Sequence, residues 1–260
     1  MFQIFAHRGL LGFPENTLLS FRKALERGFG IEADIHCTRD GKLAIIHDSA
    51  GDKTLDKIMQ GRPGTPLLMD VLELFVKSSK QGTLAALHLK YPHNEILPAL
   101  VSEVIKQFSL ANPGFDLFNR VFVFDATFEL AEKIKQLHPS LKIALSVGED
   151  MLFKQRRYRA KYPTVYAMED VAGFPHYDVV WADEWRAGLF SKEFIEKCRG
   201  LGKKVYAVSP ELHARTNPSH TLAQDSEGRK RLWADLIKWG VDGVCTDYPE
   251  ECRQVYDAAQ

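Results

Sequence analysis

The sequence predicts an α/β protein that folds as a (β/α)8 barrel, and three observations favour this fold class. The chain has 260 residues, a length typical of one such barrel. Short apolar runs alternate with longer amphipathic segments, as expected when helices connect parallel strands. The apolar runs that fit this alternation number eight. We therefore predict a TIM barrel that forms a single domain over residues 1–260.

The predicted strands follow one another at intervals that leave room for a helix after most of them. Arg39-Asp40-Gly41, after the second strand, is a turn signal. Residues 42–48 beyond that turn either continue the second strand or return beside it. In chain order, the predicted strands lie at 2–6, 30–36, 83–89, 120–125, 142–147, 179–182, 204–208 and 243–247.

Amphipathic segments between the strands predict the helices, and several begin at Asn or Ser or end in Gly, which are common cap residues. Residues 209–228 are polar and follow the seventh strand, so we predict a long loop there, either functional or simply solvated. The predicted helices lie at 16–28, 66–80, 95–108, 126–138, 191–202 and 229–240.

Composition limits the kinds of partner that the protein can have. Lys plus Arg equal Asp plus Glu at 34 each, whereas nucleic-acid and membrane-surface proteins usually need a basic face. No apolar stretch approaches the roughly 18 residues of a membrane span. We therefore expect no nucleic-acid partner and no stable membrane insertion, and the sequence does not predict an oligomeric state. A short N-terminal apolar run without a basic segment, and four cysteines without CxxC spacing, predict a cytoplasmic protein with reduced thiols.

Reactive side chains gather where the predicted strands end. In a barrel, the carboxyl ends of the strands converge on one face, so side chains from separate strands are predicted to meet there. This clustering across separated segments, rather than any single residue, is what predicts a functional site. The seven side chains concerned are His7, Arg8, Glu32, Asp34, His47, His88 and Lys90.

Glu32 and Asp34 share one face of the second strand because side chains alternate along a strand. Two carboxylates on one buried face repel unless a proton or a cation lies between them, and carboxylate oxygens suit Mg²⁺ or Ca²⁺. His88 is a candidate third ligand, or else a base or a donor. Arg8 and Lys90 are cations that could hold a phosphate group.

His7 and His47 are a candidate acid–base pair, because imidazole titrates near neutral pH. One would deprotonate the attacking hydroxyl or water, and the other would protonate the leaving oxygen. Together with a metal ion and two cations, they predict transfer at a phosphodiester. Most of the other histidines are expected to be structural, with His36 notable for sharing the face of Glu32 and Asp34. These others are His36, His93, His138, His176, His213 and His220.

Two stretches, AHRGLLGFPENTLLSFRKALERG at 6–28 and IEADIHCTRDGKLAIIHD at 31–48, resemble the glycerophosphodiester phosphodiesterase family. The shared pattern is HRG, then PENT, ExD, T-x-DG and HD. GVDGVCTDYPEE at 240–251 resembles the closing segment of that family. The resemblance implies a (β/α)8 barrel that uses a divalent cation to hydrolyse small glycerophosphodiesters to sn-glycerol 3-phosphate and an alcohol.

The resemblance also implies a role for each matching position. His7 and His47 would be the acid–base pair, and Glu32 and Asp34 would bind one divalent cation. The neighbouring hydroxyl of the substrate would attack the phosphorus and give a cyclic intermediate.

Five further positions take a role from the same resemblance. Arg8 would contact the phosphate, and Lys90 matches the lysine of the third strand. Asn16 of the PENT motif would support the site from behind the ligands. Pro14 and Thr17 would shape the loop and the start of the helix.

The sequence departs from the family pattern at the third strand, which usually reads E-x-K and here reads His88-Leu89-Lys90. Imidazole is softer than carboxylate and neutral. As a metal ligand, His88 would favour Mn²⁺ or Zn²⁺ relative to the Mg²⁺ or Ca²⁺ that the family implies.

Two more departures concern the substrate. Residues 48–82 leave little room for the inserted subdomain of the family, and the seventh strand reads YAVSPELH at 206–213 where the family has a W-T-V-N-like segment. Trp181 or Trp185 could supply an apolar platform instead, or could serve the core or the rim. Asp183 and Glu184 either bind a polar head group or are solvated rim charges.

These departures leave two alternative functions. One is a phospholipase D-like or lyase reaction on a lysophospholipid that yields a cyclic phosphate, favoured if an open apolar cleft replaces the insert. The other is a non-catalytic barrel that binds a phosphorylated ligand, favoured if His88 abolishes metal binding. The presence of both His7 and His47 argues against the second alternative, because a binding protein needs no proton carriers.

Overall fold

In a computed structural model of the chain, eight parallel strands form a closed barrel surrounded by helices, which confirms the predicted (β/α)8 TIM barrel. The structure describes residues 1–48, 50, 53–90, 96–148, 164–214 and 217–260, with the backbone alone for 96–98. His93 lies outside the described residues. None of the helices in these ranges is long and apolar enough to cross a membrane.

The strands are β1 Gln3–Ala6, β2 Gly30–Cys37, β3 Leu43–Ile45, β4 Ala85–Leu89, β5 Val121–Phe124, β6 Lys142–Val147, β7 Val165–Tyr166, β8 Val179–Ala182, β9 Lys204–Val208 and β10 Gly243–Thr246. The helices are α1 Leu18–Glu26, α2 Leu55–Gly61, α3 Leu68–Ser78, α4 Ile96–Ala111, α5 Leu117–Arg120, α6 Phe128–Leu137, α7 Met168–Ala172, α8 Lys192–Gly200, α9 Glu211–Ala214, α10 Ser226–Trp239 and α11 Pro249–Ala258. A 3-10 turn covers Leu222–Gln224.

The barrel runs in the order β1-β2-β4-β5-β6-β8-β9-β10 and closes where β10 pairs with β1. These eight strands coincide with the eight predicted runs to within two residues at each end. β3 returns antiparallel beside β2, which decides between the two predicted courses of residues 42–48. The six predicted helices are found as α1, α3, α4, α6, α8 and α10.

Aromatic side chains from four strands fill the middle of the barrel. Phe5, Phe122, Trp181 and Tyr206 form one buried cluster inside the ring of strands. The ring centroids of Phe5 and Tyr206 lie 5.0 Å apart at 70°, an edge-to-face contact that aromatic pairs favour. Each of these residues precedes a strand end, so the layer forms a floor beneath the carboxyl ends of the strands.

A second core lies between the strands and the surrounding helices. Phe21 of α1, Phe75 of α3 and Trp233 of α10 are fully buried there. Complete burial of a large apolar side chain contributes roughly 1.5–3 kcal/mol. The indole N–H of Trp233 donates a hydrogen bond to Ser209 Oγ at 2.7 Å, so its polar group is also satisfied.

Two loop regions bear on the sequence predictions. The prediction of a long loop over 209–228 is wrong in part, because α9, the 3-10 turn and the start of α10 lie within it. Glu211 and His220 of this stretch are buried rather than solvated, and residues 215–216 lie outside the described residues. Between β3 and β4, the described residues form the seven-residue helix α2 and the barrel helix α3, in keeping with the short insertion expected there.

Candidate active site

A cavity of about 340 Å³ lies at the carboxyl ends of the barrel strands, the usual position of catalytic residues in this fold. It is lined by all seven side chains that the sequence places at strand ends. The structure therefore brings together residues that are up to 83 positions apart in the chain. The seven are His7, Arg8, Glu32, Asp34, His47, His88 and Lys90.

The turn after β1 depends on close backbone packing. Gly9 has φ +93°, and a Cβ atom at this position would lie 2.3 Å from Ser20 Oγ, so the HRG motif requires glycine. Thr17 caps α1, and its hydroxyl accepts a hydrogen bond from the Ser20 N–H at 3.2 Å. This packing points the backbone N–H of Arg8 at Glu32 Oε2, 3.1 Å away.

Asn16 is fully buried behind the carboxylates and has φ +53°. Its side-chain N–H donates to Asp34 Oδ2 at 2.9 Å, and its Oδ1 accepts the backbone N–H of Asp34 at 3.2 Å. The paired hydrogen bonds fix the orientation of Asp34. These contacts are those expected of a residue that supports the ligands from behind, and this role of Asn16 stays a prediction.

Glu32 and Asp34 point into the barrel and are 2% and 1% exposed. Two cations reach Asp34: Arg8 Nε lies 3.2 Å from its Oδ2 without hydrogen-bond geometry, and Lys90 Nζ lies 3.6 Å from its Oδ1. Burial alone would raise the pKa of Asp34, but His88, Lys90 and Arg8 outweigh it and hold that pKa below its usual range. Burial and the charge of Asp34 raise the pKa of Glu32.

His88 lies between acidic groups on both sides of its ring. Its Nδ1 is 3.0 Å from Asp34 Oδ1 and 3.8 Å from Glu32 Oε1, and its Nε2 is 3.2 Å from Asp125 Oδ2. The ring stacks on Phe124 with centroids 4.5 Å apart. Burial and Lys90 oppose the charged imidazolium, but hydrogen bonds to Asp125 and Asp34 raise the pKa of His88 to about 9.

The residues present fit a divalent cation. Ligand atoms of Glu32, Asp34 and His88 all lie within 4.8 Å of one another. Two carboxylates and an imidazole are a common donor set, and metal-binding histidines usually direct their second ring nitrogen to a carboxylate, as His88 does toward Asp125. Since a ligating imidazole is deprotonated, a cation bound here would take the place of the His88 proton.

His7 has a carboxylate partner that the sequence analysis did not identify. Asp247 follows β10, which pairs with β1 where the barrel closes, and its Oδ1 lies 2.8 Å from His7 Nδ1.

Buried Glu211 lies behind this pair and accepts hydrogen bonds from Thr246 Oγ1 at 2.5 Å and from the Asp247 N–H at 3.3 Å. Burial raises the pKa of Glu211. The position of Asp247 directly after β10, the strand that pairs with β1, was the signal in the sequence that could have identified this partner of His7.

His47 stands at the edge of the cavity, where the chain leaves β3. Its carbonyl oxygen lies 3.3 Å from His36 Nε2, so His36 holds this segment in place from outside the cavity. Burial lowers the pKa of His36 to about 4, which keeps its ring neutral. Burial, Lys90 and Arg8 lower the pKa of His47.

The opposite side of the cavity is largely apolar and is formed by β5, β8, β9 and the segments that follow them. We call this side the aromatic wall and the side with the seven predicted residues the charged wall. His213, which the sequence analysis expected to be structural, lines the aromatic wall, and its Nε2 lies 2.6 Å from Asp183 Oδ1. The aromatic wall includes Phe124, Trp181, Trp185, Val208 and Leu212.

Glu184 fits neither of the two alternatives predicted for the acidic pair at the end of β8. It is 4% exposed and accepts hydrogen bonds from the backbone N–H groups of Gly188 at 3.1 Å and Phe190 at 2.6 Å. It therefore organises the loop before α8 and is neither a solvated rim charge nor part of the cavity lining.

The sequence of the chain is similar to those of known proteins. The sequence profile of the glycerophosphoryl diester phosphodiesterase family matches residues 7–170. A glycerophosphodiester phosphodiesterase of Bacillus subtilis (strain 168) is 45% identical over 96% of this chain and 85% of its own length.

Solved structures are similar in fold. A glycerophosphodiester phosphodiesterase from Parabacteroides distasonis has a TM-score of 0.69 at 18% identity, covering 99% of this chain and 98% of its own. An Oleispira antarctica phosphodiesterase in complex with the product sn-glycerol-3-phosphate has a TM-score of 0.65 at 20% identity, covering 98% and 96%. At these identities the likeness concerns the barrel itself.

Proposed function

Because the chain belongs to the glycerophosphoryl diester phosphodiesterase family and is a phosphoric diester hydrolase, we propose that it hydrolyses a glycerophosphodiester to sn-glycerol 3-phosphate and an alcohol. The observation that carries the proposal is the meeting of two histidines, two cations and a carboxylate–imidazole cluster in one cavity. The Oleispira antarctica phosphodiesterase of the same fold holds sn-glycerol-3-phosphate, which supports the choice of product.

Glu32, Asp34 and His88 would hold one divalent cation. When bound, that cation would stabilise negative charge on the phosphoryl oxygens. Arg8 and Lys90 line the same cavity and would bind the phosphate through their positive charges. Carboxylates suit Mg²⁺ or Ca²⁺, whereas the nitrogen of His88 favours Mn²⁺ or Zn²⁺.

His7 acts as the base. Asp247 accepts the Nδ1–H of the ring, which leaves Nε2 as the atom that takes the proton of the attacking hydroxyl, either a neighbouring hydroxyl of the substrate or water. If the hydroxyl of the substrate attacks, the alcohol leaves and a cyclic phosphate forms, which a water molecule must then open to give glycerol 3-phosphate. Asp247 also stabilises the imidazolium that forms, as carboxylates do in other histidine-based active sites.

His47 delivers the proton to the leaving alcohol oxygen. In the free protein, burial and the charges of Lys90 and Arg8 lower the pKa of His47. The single negative charge of a bound phosphodiester opposes the effect of these two cations, so substrate binding favours the protonated form of His47.

The lysophospholipid alternative draws support from the aromatic wall. The cavity volume of about 340 Å³ favours a small diester instead, because a long acyl chain would extend beyond it. Membership of a hydrolase family sets aside the non-catalytic alternative. The cytoplasmic location remains a prediction, supported by four free cysteines.

The decisive experiment incubates metal-stripped protein with glycerophosphocholine or glycerophosphoethanolamine and adds Mg²⁺, Ca²⁺, Mn²⁺ or Zn²⁺ separately. Phosphorus NMR distinguishes glycerol 3-phosphate from a cyclic phosphate. We expect metal-dependent glycerol 3-phosphate from the parent and none from His7→Ala. A cyclic phosphate from lysophosphatidylcholine, with no turnover of either glycerophosphodiester, would replace the proposal with the lyase alternative.

A further inference from the structure

Asp125 lies directly after β5 with φ +66°, in the left-handed region that residues other than glycine rarely adopt. Among the described residues, the other non-glycine positions with positive φ are Arg8 and Asn16. Arg8 contacts Glu32 and Asn16 contacts Asp34. All three residues with positive φ therefore surround the cluster of Glu32, Asp34 and His88. Such conformations concentrate at functional sites, where the surrounding structure maintains them.

The side chain of Asp125 faces His88 from the side away from Glu32 and Asp34. Its Oδ2 lies 3.2 Å from His88 Nε2, and the hydroxyl of Ser146 hydrogen-bonds the same carboxylate. Phe124 stacks on the imidazole ring with an interplanar angle of 21°. Stacking on Phe124 therefore fixes the plane of the His88 ring, and the contact with Asp125 fixes the direction in which its two nitrogens point.

We propose that Asp125 is a positioning residue that makes His88 a nitrogen ligand of the metal and biases the site toward borderline cations such as Zn²⁺ and Mn²⁺. By accepting the Nε2–H, Asp125 directs the Nδ1 lone pair toward the space between Glu32 and Asp34. The inference rests on the metal site of the proposed function and names the residue that sets its selectivity.

The position of the negative charge of Asp125 supports this role. A glutamate at position 88 would give the cluster three carboxylates in direct contact with the cation. Here the third carboxylate, Asp125, stands one imidazole ring further out. Asp125 therefore keeps a third negative charge close to the cation although the contacting atom at position 88 is nitrogen instead of oxygen, and this change of contacting atom alters the metal preference.

The test measures Zn²⁺, Mn²⁺ and Mg²⁺ affinity by competition with a chromophoric chelator in the parent and in Asp125→Asn. Asn tolerates left-handed φ, so the backbone is expected to persist, and thermal melting checks this. We expect Asp125→Asn to weaken Zn²⁺ binding by about 10-fold or more and to reduce the preference for Zn²⁺ over Mg²⁺. Asp183→Asn is the matched control, because Asp183 also pairs with a histidine in the cavity but stands outside the cluster.

A double-mutant cycle separates action through His88 from a general effect of charge. In a His88→Glu background, the introduced carboxylate and Asp125 would repel, so adding Asp125→Asn should leave metal affinity unchanged or strengthen it. An equal loss of affinity in both backgrounds would overturn the proposal, as would unchanged Zn²⁺ affinity in Asp125→Asn alone. A parent protein that binds none of the three cations would also overturn it.

The absorption spectrum of the Co²⁺-loaded protein gives a readout independent of turnover. The d–d bands depend on the nitrogen donor, so they should shift in Asp125→Asn and remain in place in Asp183→Asn. Failure of the proposed function would look different: the metal-binding pattern would hold while no glycerophosphodiester is cleaved. Cleavage that proceeds with unaltered metal affinity and spectrum in Asp125→Asn would contradict this inference alone.

Discussion

The charged wall and the aromatic wall enclose the same cavity but are encoded differently. The charged wall comes from residues 7–90, whose reactive side chains stand in short, recognisable strings. The aromatic wall draws its side chains from residues 124–213, spread over three strands without a pattern of their own. Proton transfer and metal binding require particular atoms at particular positions, whereas an apolar surface can be built from many combinations of side chains. Reaction class is therefore easier to predict from this sequence than the alcohol of the substrate.

The largest effect should come from His7 and His47, the proposed proton carriers of the charged wall. We expect His7→Ala and His47→Ala each to lower kcat by about 10²–10⁴-fold, because each removes one proton transfer. Metal affinity should stay unchanged, since neither residue belongs to the ligand cluster. Kinetics of glycerophosphocholine hydrolysis give kcat, and chelator competition gives the affinity. His213→Ala, on the aromatic wall, should act mainly on KM; an equal loss of kcat there would break the distinction between the walls.

Glu32→Gln should abolish tight metal binding and yet stabilise the metal-free protein. Burial raises the folded-state pKa of Glu32 above its ordinary value of 4.5, so the unfolded chain loses this proton first as pH rises. The metal-free parent therefore loses stability relative to Glu32→Gln from about that pH upward, until the folded carboxyl has also ionised. We expect a Tm gain of about 2–4 °C at neutral pH that vanishes in acid. An equal difference in Tm between Glu32→Gln and the metal-free parent at pH 4 and at pH 8 would show that the ionised Glu32 carboxylate does not destabilise the folded protein.

Trp185→Leu probes the aromatic wall. An indole face attracts a quaternary ammonium group with about 0.5–2 kcal/mol, so KM for glycerophosphocholine should rise by roughly 2–30-fold while kcat changes little. Glycerophosphoglycerol, whose alcohol is uncharged, serves as the comparison substrate and should show a smaller change. A parallel fall in kcat for both substrates would mean that Trp185 takes part in the chemistry.

The smallest expected effect is the influence of Lys90 on the pKa of His47. Burial lowers the pKa of His47, and Lys90 adds to that shift, so Lys90→Met should raise the pKa of His47. NMR titration of the imidazole Cε1–H measures the change in the free protein. Lys77→Met, on the exposed face of α3, is the control and should leave the His47 titration in place. A downward shift in Lys90→Met would contradict the electrostatic origin of the low pKa.

Much of the fold followed from pattern, because eight apolar runs separated by helices admit few other architectures. The seven cavity residues followed because strand ends must meet. Asp247 was missed because 240 residues separate it from His7, although it follows the strand that closes the barrel beside β1. Asp125 was also missed, because a positive φ at an aspartate leaves no trace in the sequence. Glu184 and His213 take their partners from loops whose course depends on tertiary packing.

The layer of Phe5, Phe122, Trp181 and Tyr206 gives the barrel the form of a cup rather than a tube. Molecules that reach the charged wall arrive from the rim and have to depart the same way. In the proposed reaction, incoming diester and departing glycerol 3-phosphate would share one passage and one set of cations, so the build-up of product would slow the next turnover. Accumulation of the proposed product would then inhibit this protein through the catalytic cavity itself.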